Sequence, residues 1–488
     1  VGLGSETTGK KATYLFIESI IAMVAGYILW LFLSTLTSAD VIGIASTVVS
    51  LSVIFSQIVD IHVSVGSVRF LGKSFSEGNL EDVKLLVRAC LVIALLGILI
   101  GTGFIIIFKE WLFPAIQFEL IITLILLIGV TIIVNLLRAV LVSALKTRSL
   151  PIVTIISSAF RIALAVTLLH VGFDAVGITI GYLSGFAVAL VLLSVKVLTN
   201  LSGAKKQATI NLYLACKRIL VASIPSWIPT VMSVVGSHLG TVVVFGSDGP
   251  SQAASYFIAI AIFSAIDAIR NSLFTIGFPI LSAMDDGRKK FVWRIIKMSM
   301  VISLPVTFAV MPYTTEVLGL IGPNYVQGSM SLKIILLSVF PLTFLYGIST
   351  LIYSYGNYRQ VLAIGIGTNL PRVLLYFVLV PIYGSAGAAL SFTVGSIIGF
   401  VISIVIAKRI GMKIFWKELT LLIAIPIGLT LTLTYLQVTY IIGIPIMLVL
   451  SPIMMFALRA ISKSEVREFL EILPERISRP LINLINRL

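Results

Sequence analysis

Arg138, Arg161, Arg270, Lys333 and Arg372 stand inside long apolar stretches of a 488-residue chain. A charge at the middle of a bilayer costs about 2.5 to 3.5 kcal/mol on insertion scales, so a cation kept there is a candidate for work on an anion. Arg161 and Arg372 lie deepest. Each falls about twelve residues, roughly 18 Å at 1.5 Å per residue, from the basic end of its run, too far for easy snorkelling. A guanidinium stays charged and offers a planar fork that takes phosphate oxygens two at a time, so the chemistry expected of this pair is phosphate recognition. The competing reading is a structural arginine paired with a buried carboxylate or with helix carbonyls. Arg138 lies about seven residues, roughly 10 Å, from the inner end, where snorkelling and a place at a cavity mouth compete. Lys333 is near the outer end and reads as interfacial.

Only three acids, Glu18, Asp60 and Asp267, share the apolar stretches. Asp267 precedes Arg270 by three residues, a spacing that favours an ion pair on one helical face. Glu18 and Asp60 have the chemistry to bind a proton or sodium ion, or to pair with a nearby arginine. The candidate substrate-binding residues are therefore Arg161, Arg372, Arg138 and Arg270, and the candidate ion-coupling residues are Glu18, Asp60 and Asp267. His62, His170 and His238 have no ligand neighbours at metal spacing and read as hydrogen-bonded structure. No metal and no cofactor is expected. Catalytic signatures are missing: the stretch from Gly66 to Ser74 has five residues between its glycines where a phosphate loop needs four, and no Gly-x-Ser-x-Gly, His-Glu-x-x-His or Cys-x-x-Cys occurs. An enzyme is not expected.

The elements that hold these residues are set by composition. The chain is 58% hydrophobic and 11% charged, against about a quarter charged in soluble proteins, which excludes a cytosolic enzyme and a disordered chain. A membrane helix needs about 20 apolar residues, and about fourteen such runs can be counted, from Ala12–Leu36 to Ile441–Leu458. Lys10 and Lys11 lead into a run too long for a signal-peptide core, so that segment is expected to stay. With odd connections external, those loops hold one basic residue, Lys109, and six acids: Asp40, Glu110, Glu119, Asp174, Asp248 and Glu316. The termini, the even connections and the helix ends next to them hold 29 Lys and Arg. This asymmetry places both termini in the cytoplasm of a multi-pass protein of the cell membrane and explains the net charge of +15 without nucleic acid as a partner. Cys90 and Cys216 suggest neither a disulfide framework nor a metal site.

Sliding the chain on itself by 211 residues brings Arg148 onto Arg359, Arg161 onto Arg372 and Gly66 onto Gly277. Segments one to six and seven to twelve therefore read as parallel repeats. The expected organisation is all-α: a six-helix lobe over 1–200, a second over 201–410, two extra helices in 411–461, and an amphipathic cytoplasmic tail over 462–488. Small-residue pairs at four-residue spacing, such as Gly181 with Gly185, read as close helix packing.

Three motifs carry a resemblance across nearly the whole chain: Gly66-Ser-Val-Arg69-Phe-Leu, Ile321-Gly-Pro-Asn-Tyr325-Val-Gln-Gly328, and Gly384-Ser-Ala-Gly387-Ala-Ala-Leu. With the repeat and the two extra helices, the sequence resembles the polysaccharide-biosynthesis oligosaccharide flippases of the multidrug/oligosaccharidyl-lipid/polysaccharide exporter superfamily. The resemblance implies two six-helix lobes around a cavity that opens alternately to each side, and a lipid-linked sugar phosphate or pyrophosphate as cargo. Relatives often place an acid in the seventh segment, where this chain has His238, so no ion coupling is assigned there. Membrane lipids are expected partners, and a monomer is expected. The alternatives are a cation-coupled multidrug antiporter of the same superfamily, which would rely on Glu18 and Asp60, and a membrane-embedded glycosyltransferase or polymerase, which would need a sizeable external loop.

Overall fold

The computed structural model describes residues 2–112, 116–201, 211–462 and 465. The expected amphipathic tail lies outside the described residues apart from Ser462 and Glu465, as do residues 202–210 between the expected lobes. The described chain is helical, with no strand. In lipid every backbone N–H and C=O must find a partner inside its own segment, and uninterrupted apolar runs can do that only as helices.

Two compact units divide the chain, Val1–Ala254 and Ser255–Leu488. The first contains α1 (Gly2–Leu36), α2 (Ala39–Asp60), α3 (Val63–Ser76), α4 (Leu80–Leu112), α5 (Phe118–Ser143), α6 (Leu150–His170), α7 (Asp174–Leu201) and the first part of α8 (Leu212–Ala283). The second contains the rest of α8, then α9 (Arg288–Val310), α10 (Thr314–Ile321), α11 (Ser329–Leu336), α12 (Val339–Ser354), α13 (Tyr358–Arg409), α14 (Trp416–Tyr435) and α15 (Tyr440–Ala457).

Among the described residues eleven helices are long and apolar enough to cross a membrane, and the bent pair Pro323–Leu336 and Val339–Ser354 makes twelve. Two of these are double. In α8 the backbone breaks at Gly249 (φ 82°, ψ −178°), and in α13 at Gly384 (φ 55°, ψ −137°). Both conformations lie where a Cβ would clash, which is why glycine stands at each reversal. Counting each half separately recovers the fourteen segments expected from the sequence.

Large apolar side chains such as Leu99, Ile100 and Ile107 on α4 and Leu431 on α14 are exposed, as lipid-facing positions must be. The interior of the first unit is built from Val83, Leu86 and Cys90 of α4, Leu136 and Val140 of α5, Leu193 and Val197 of α7, and Ala215 and Ile219 of α8. The seventh segment therefore packs with the first six. At its closest approach to α3, a Cβ on Gly66 would lie 2.1 Å from Ser223 Oγ.

Candidate functional site

Arg161 shares a face of α6 with Ser157 and Ala165, one turn to either side. That face packs on α7 closely, because α7 has Gly181 and Gly185 opposite it. A Cβ on Gly181 would fall 2.5 Å from Ala165 Cα, and one on Gly185 would fall 2.7 Å from Arg161 Nε. The arginine thus runs across the groove that Gly185 leaves. Its guanidinium carbon lies 4.4 Å from the ring centre of Tyr182 and 4.8 Å from that of Phe186. Tyr182 continues the aromatic group to Trp30 of α1, with ring centres 6.2 Å apart. Arg161 Nε is buried with no hydrogen-bond partner, and among the described residues no carboxylate lies within salt-bridge distance of the side chain. Cation–π contact lowers the cost of holding this charge away from water but leaves its fork open.

Arg372 occupies the matching place in the second unit. It is 3% exposed on the first half of α13, with its guanidinium carbon 3.8 Å from the ring centre of Phe392. Nη2 donates to Ser396 Oγ at 2.9 Å and Nη1 to Asn369 Oδ1 at 3.3 Å. Asp267 lies within electrostatic reach. A Cβ on Gly395 would fall 2.8 Å from Arg372 Cβ and 2.5 Å from the Thr368 carbonyl oxygen.

The two sites correspond residue by residue. Arg161 and Arg372, and likewise Ser157 and Thr368, are 211 positions apart; Tyr182 and Phe392, and Gly185 and Gly395, are 210 apart. Each arginine crosses a glycine groove beneath an aromatic ring. The departure comes one turn further on, where Phe186 gives Arg161 a second ring and Ser396 gives Arg372 a hydroxyl.

Arg138 has a partner. Its Nε and Nη2 fork onto the Glu18 carboxylate at 2.7 and 2.8 Å, joining α5 to α1. Arg270 is fully buried and ion-paired to Asp267, with Nε 2.9 Å from Oδ1, as the three-residue spacing suggests. It also donates to the Leu342 carbonyl at 3.3 Å and stacks on Tyr346 at 3.9 Å. Lys333 is half-buried on α11.

Asp60 differs from the other two acids. It ends α2, is 4% exposed, and accepts a hydrogen bond from Ser64 Oγ at 3.2 Å. Among the described residues no cation pairs with it. The two residues after it, Ile61 (φ 47°) and His62 (φ 57°), are left-handed, so α2 and α3 form one broken helix. A β-branched residue in that region is strained, and the surroundings hold it there. His62 Nδ1 meets Ser226 Oγ at 2.9 Å, and Trp227 Nε1 donates to the Gln57 carbonyl at 3.0 Å. Carbonyls freed at such breaks are what transporters use for cations.

Sequence reasoning missed Lys297. It is 2% exposed on α9 and bonds Glu418 of α14 at 2.7 Å and Glu465 at 2.8 Å. Glu418 also accepts from Trp293 Nε1 at 3.1 Å, and Glu465 forms a capping box with Ser462. The Ser462-x-x-Glu465 spacing was the available signal. Glu465 lies outside the membrane segments. Burial pushes its carboxyl up, but hydrogen bonds from Lys297 and Ser462 outweigh burial and hold it below the usual range. Among the described residues no group of three His, Cys, Asp or Glu side chains is placed to hold a metal.

No family model matches the sequence, and no curated protein matches it. Solved structures do match the fold. Over 90% of this chain and 97% of the other, it aligns with the lipid II flippase MurJ in an inward closed conformation, at a TM-score of 0.72 and 16% identity. The likeness is one of fold. A multidrug resistance MATE transporter of the MOP superfamily in an inward-facing conformation aligns over 81% of this chain and 97% of its own, at a TM-score of 0.65 and 13% identity. A MOP-superfamily transporter from Pyrococcus furiosus, described by the reverse polarity of its binding pocket, aligns over 82% and 95%, at 0.54 and 15%. The all-α, fourteen-segment architecture is thus shared with these solved structures.

Proposed function

We propose that this chain is a flippase that moves a lipid-linked oligosaccharide from the inner to the outer leaflet by alternating access. Arg161 and Arg372 are the groups that recognise the phosphate or pyrophosphate of its carrier lipid. The observation that carries the reading is the state of Arg161: a cation deep in an apolar helix, stacked on two rings, with its Nε unsatisfied and no described carboxylate beside it. A phosphate diester supplies the missing acceptors, and the fork takes it bidentately. Arg372, in the equivalent place, contributes the second charge. The likeness to a lipid II flippase over most of both chains supports a lipid-linked cargo.

Arg138 and Arg270 serve this scheme less directly, because each spends its fork on a carboxylate. Of the three ion-coupling candidates, Glu18 and Asp267 carry an arginine partner, and Asp60 is the carboxylate we assign to coupling. Asp60, beside a broken helix, is suited to take a proton or sodium ion in one state and release it in another. The positive balance of the even connections supports cytoplasmic termini, which sets the direction of transport.

The rival is a cation-coupled drug antiporter, favoured by the likeness to a MATE transporter and by Asp60 itself. Proteoliposomes separate the two. A flippase exposes a lipid-linked sugar to an external lectin or enzyme and leaves cationic dyes in place; an antiporter does the reverse.

A further inference from the structure

Where α5 gives way to α6, the chain makes a turn that aims charge sideways. Lys146 N bonds the Leu141 carbonyl at 2.9 Å and Leu145 N the Val142 carbonyl at 3.0 Å, with Leu145 left-handed at φ 56°. This is a Schellman ending built on leucine instead of glycine. Thr147, next along, is buried, and the residues on either side of it, Lys146 and Arg148, are exposed. Both line one cleft of about 590 Å³, together with Lys196 of α7, Ser149, Asn200 and Ile152. Lys146 Nζ bonds Asn200 Oδ1, which ties the turn to the end of α7. Among the described residues no carboxylate pairs with Lys146, Arg148 or Lys196.

We propose that this cleft binds the phosphate headgroup of an anionic membrane phospholipid. Three cations from two elements converge with no acid among the described residues to neutralise them, on a scale that suits a headgroup. The apolar wall decides the source of the phosphate. Ile152, at the cleft, is 57% exposed, and Ile155 and Ile156 continue the same exposed strip up α6. A free anion has no use for that strip, whereas acyl chains below a bound headgroup lie along it. The cleft also sits at the basic end of three membrane helices, the level at which headgroups lie, and basic pockets of this kind between helices take anionic lipids. The site is separate from Arg161, and it requires nothing of the transport reading.

The test uses the full-length protein in neutral-detergent micelles, with dioleoyl phosphatidylglycerol as probe, dioleoyl phosphatidylcholine as neutral control and inorganic phosphate as free anion. Bound lipid is counted by native mass spectrometry and followed by thermal stabilisation. Each cation near a headgroup is worth roughly fivefold in affinity, so Lys146→Gln, Arg148→Gln and Lys196→Gln combined should weaken phosphatidylglycerol binding by about 100-fold. The same charge change in the second unit, Lys289→Gln with Lys290→Gln and Arg359→Gln, should leave it within about twofold. Equal losses in both triple variants would mean diffuse attraction and overturn the site. Displacement of phosphatidylglycerol by millimolar inorganic phosphate would make it a free-anion site, and equal binding of phosphatidylcholine would remove the role of charge. If the triple variant does not express, Lys196→Gln alone, with its roughly fivefold loss, decides in the same assay.

Discussion

Arg161 lies across Gly185, so close that a methyl group on the glycine would meet Arg161 Nε at 2.7 Å, and Arg372 lies across Gly395 in the same way. The glycines hold the helix pairs together and leave each arginine a slot under an aromatic ring. Gly185→Ala should force α6 and α7 apart at the Ser157 carbonyl and Arg161 Cβ, both within 3 Å of the new methyl group. Overpacking of this kind costs about 1 to 3 kcal/mol. Thermal unfolding in detergent should show a lowered midpoint for Gly185→Ala and for Gly395→Ala. An unchanged midpoint in both would mean that the slots are loose.

The Glu18–Arg138 fork can be weighed by a double-mutant cycle. Glu18 is 8% exposed, so Arg138→Gln strands a buried carboxylate and should cost about 1 to 3 kcal/mol, the lower part of the range for a buried pair because the arginine is 41% exposed. Adding Glu18→Gln removes the stranded charge and should recover most of the loss. A double variant that loses the sum of the two single effects would show that the pair is not coupled.

Glu465 supplies a pH signature. Its carboxyl is held below its ordinary value of 4.5 in the folded chain, so its contribution is fully present above about pH 4.5 and is lost as pH falls through the lowered folded value. Glu465→Gln should therefore unfold at a lower temperature than the parent at pH 7, and the gap should narrow as pH falls below about 4.5. A gap that persists at low pH would assign the effect to packing.

The proposed topology rests on the 29 to 1 distribution of basic residues. Cysteines placed at Asp40, Asp248 and Glu316 should react with an impermeant thiol reagent in intact cells, over a low background because native Cys90 is buried and Cys216 half-buried. Protection of all three would reverse the orientation.

Much of this was legible in the sequence, and the reasons are particular. Apolar run length sets the segments, and the turn motif at Gly384 marks the reversal where the helix breaks. The spacing of Asp267 and Arg270 gave their pairing, because three residues on a helix fixes neighbours. The Arg138–Glu18 fork joins residues 120 positions apart, and nothing local encodes it. Lys297 escaped notice, since its pairing depends on Glu418 and Glu465 arriving from distant segments. The break after Asp60 has no glycine or proline to announce it: Ile61 and His62 are left-handed, and His62 Nδ1 meets Ser226 Oγ of α8. The first compact unit runs to Ala254, because the seventh segment packs on α3 through Gly66 and Ser223.

The central claim is that Arg161 and Arg372 bind the phosphate of a lipid-linked sugar during its passage, and leaflet transfer of such a lipid in proteoliposomes measures it most directly. Losing a charge-assisted contact costs about 1.5 to 3 kcal/mol, or roughly tenfold to 150-fold in affinity. Arg161→Ala and Arg372→Ala should each reduce transfer on that scale while the protein still inserts and unfolds cooperatively. Arg161→Lys and Arg372→Lys, which keep the charge and lose the fork, should fall between. Alanine variants that transfer lipid at the parent rate would contradict the claim.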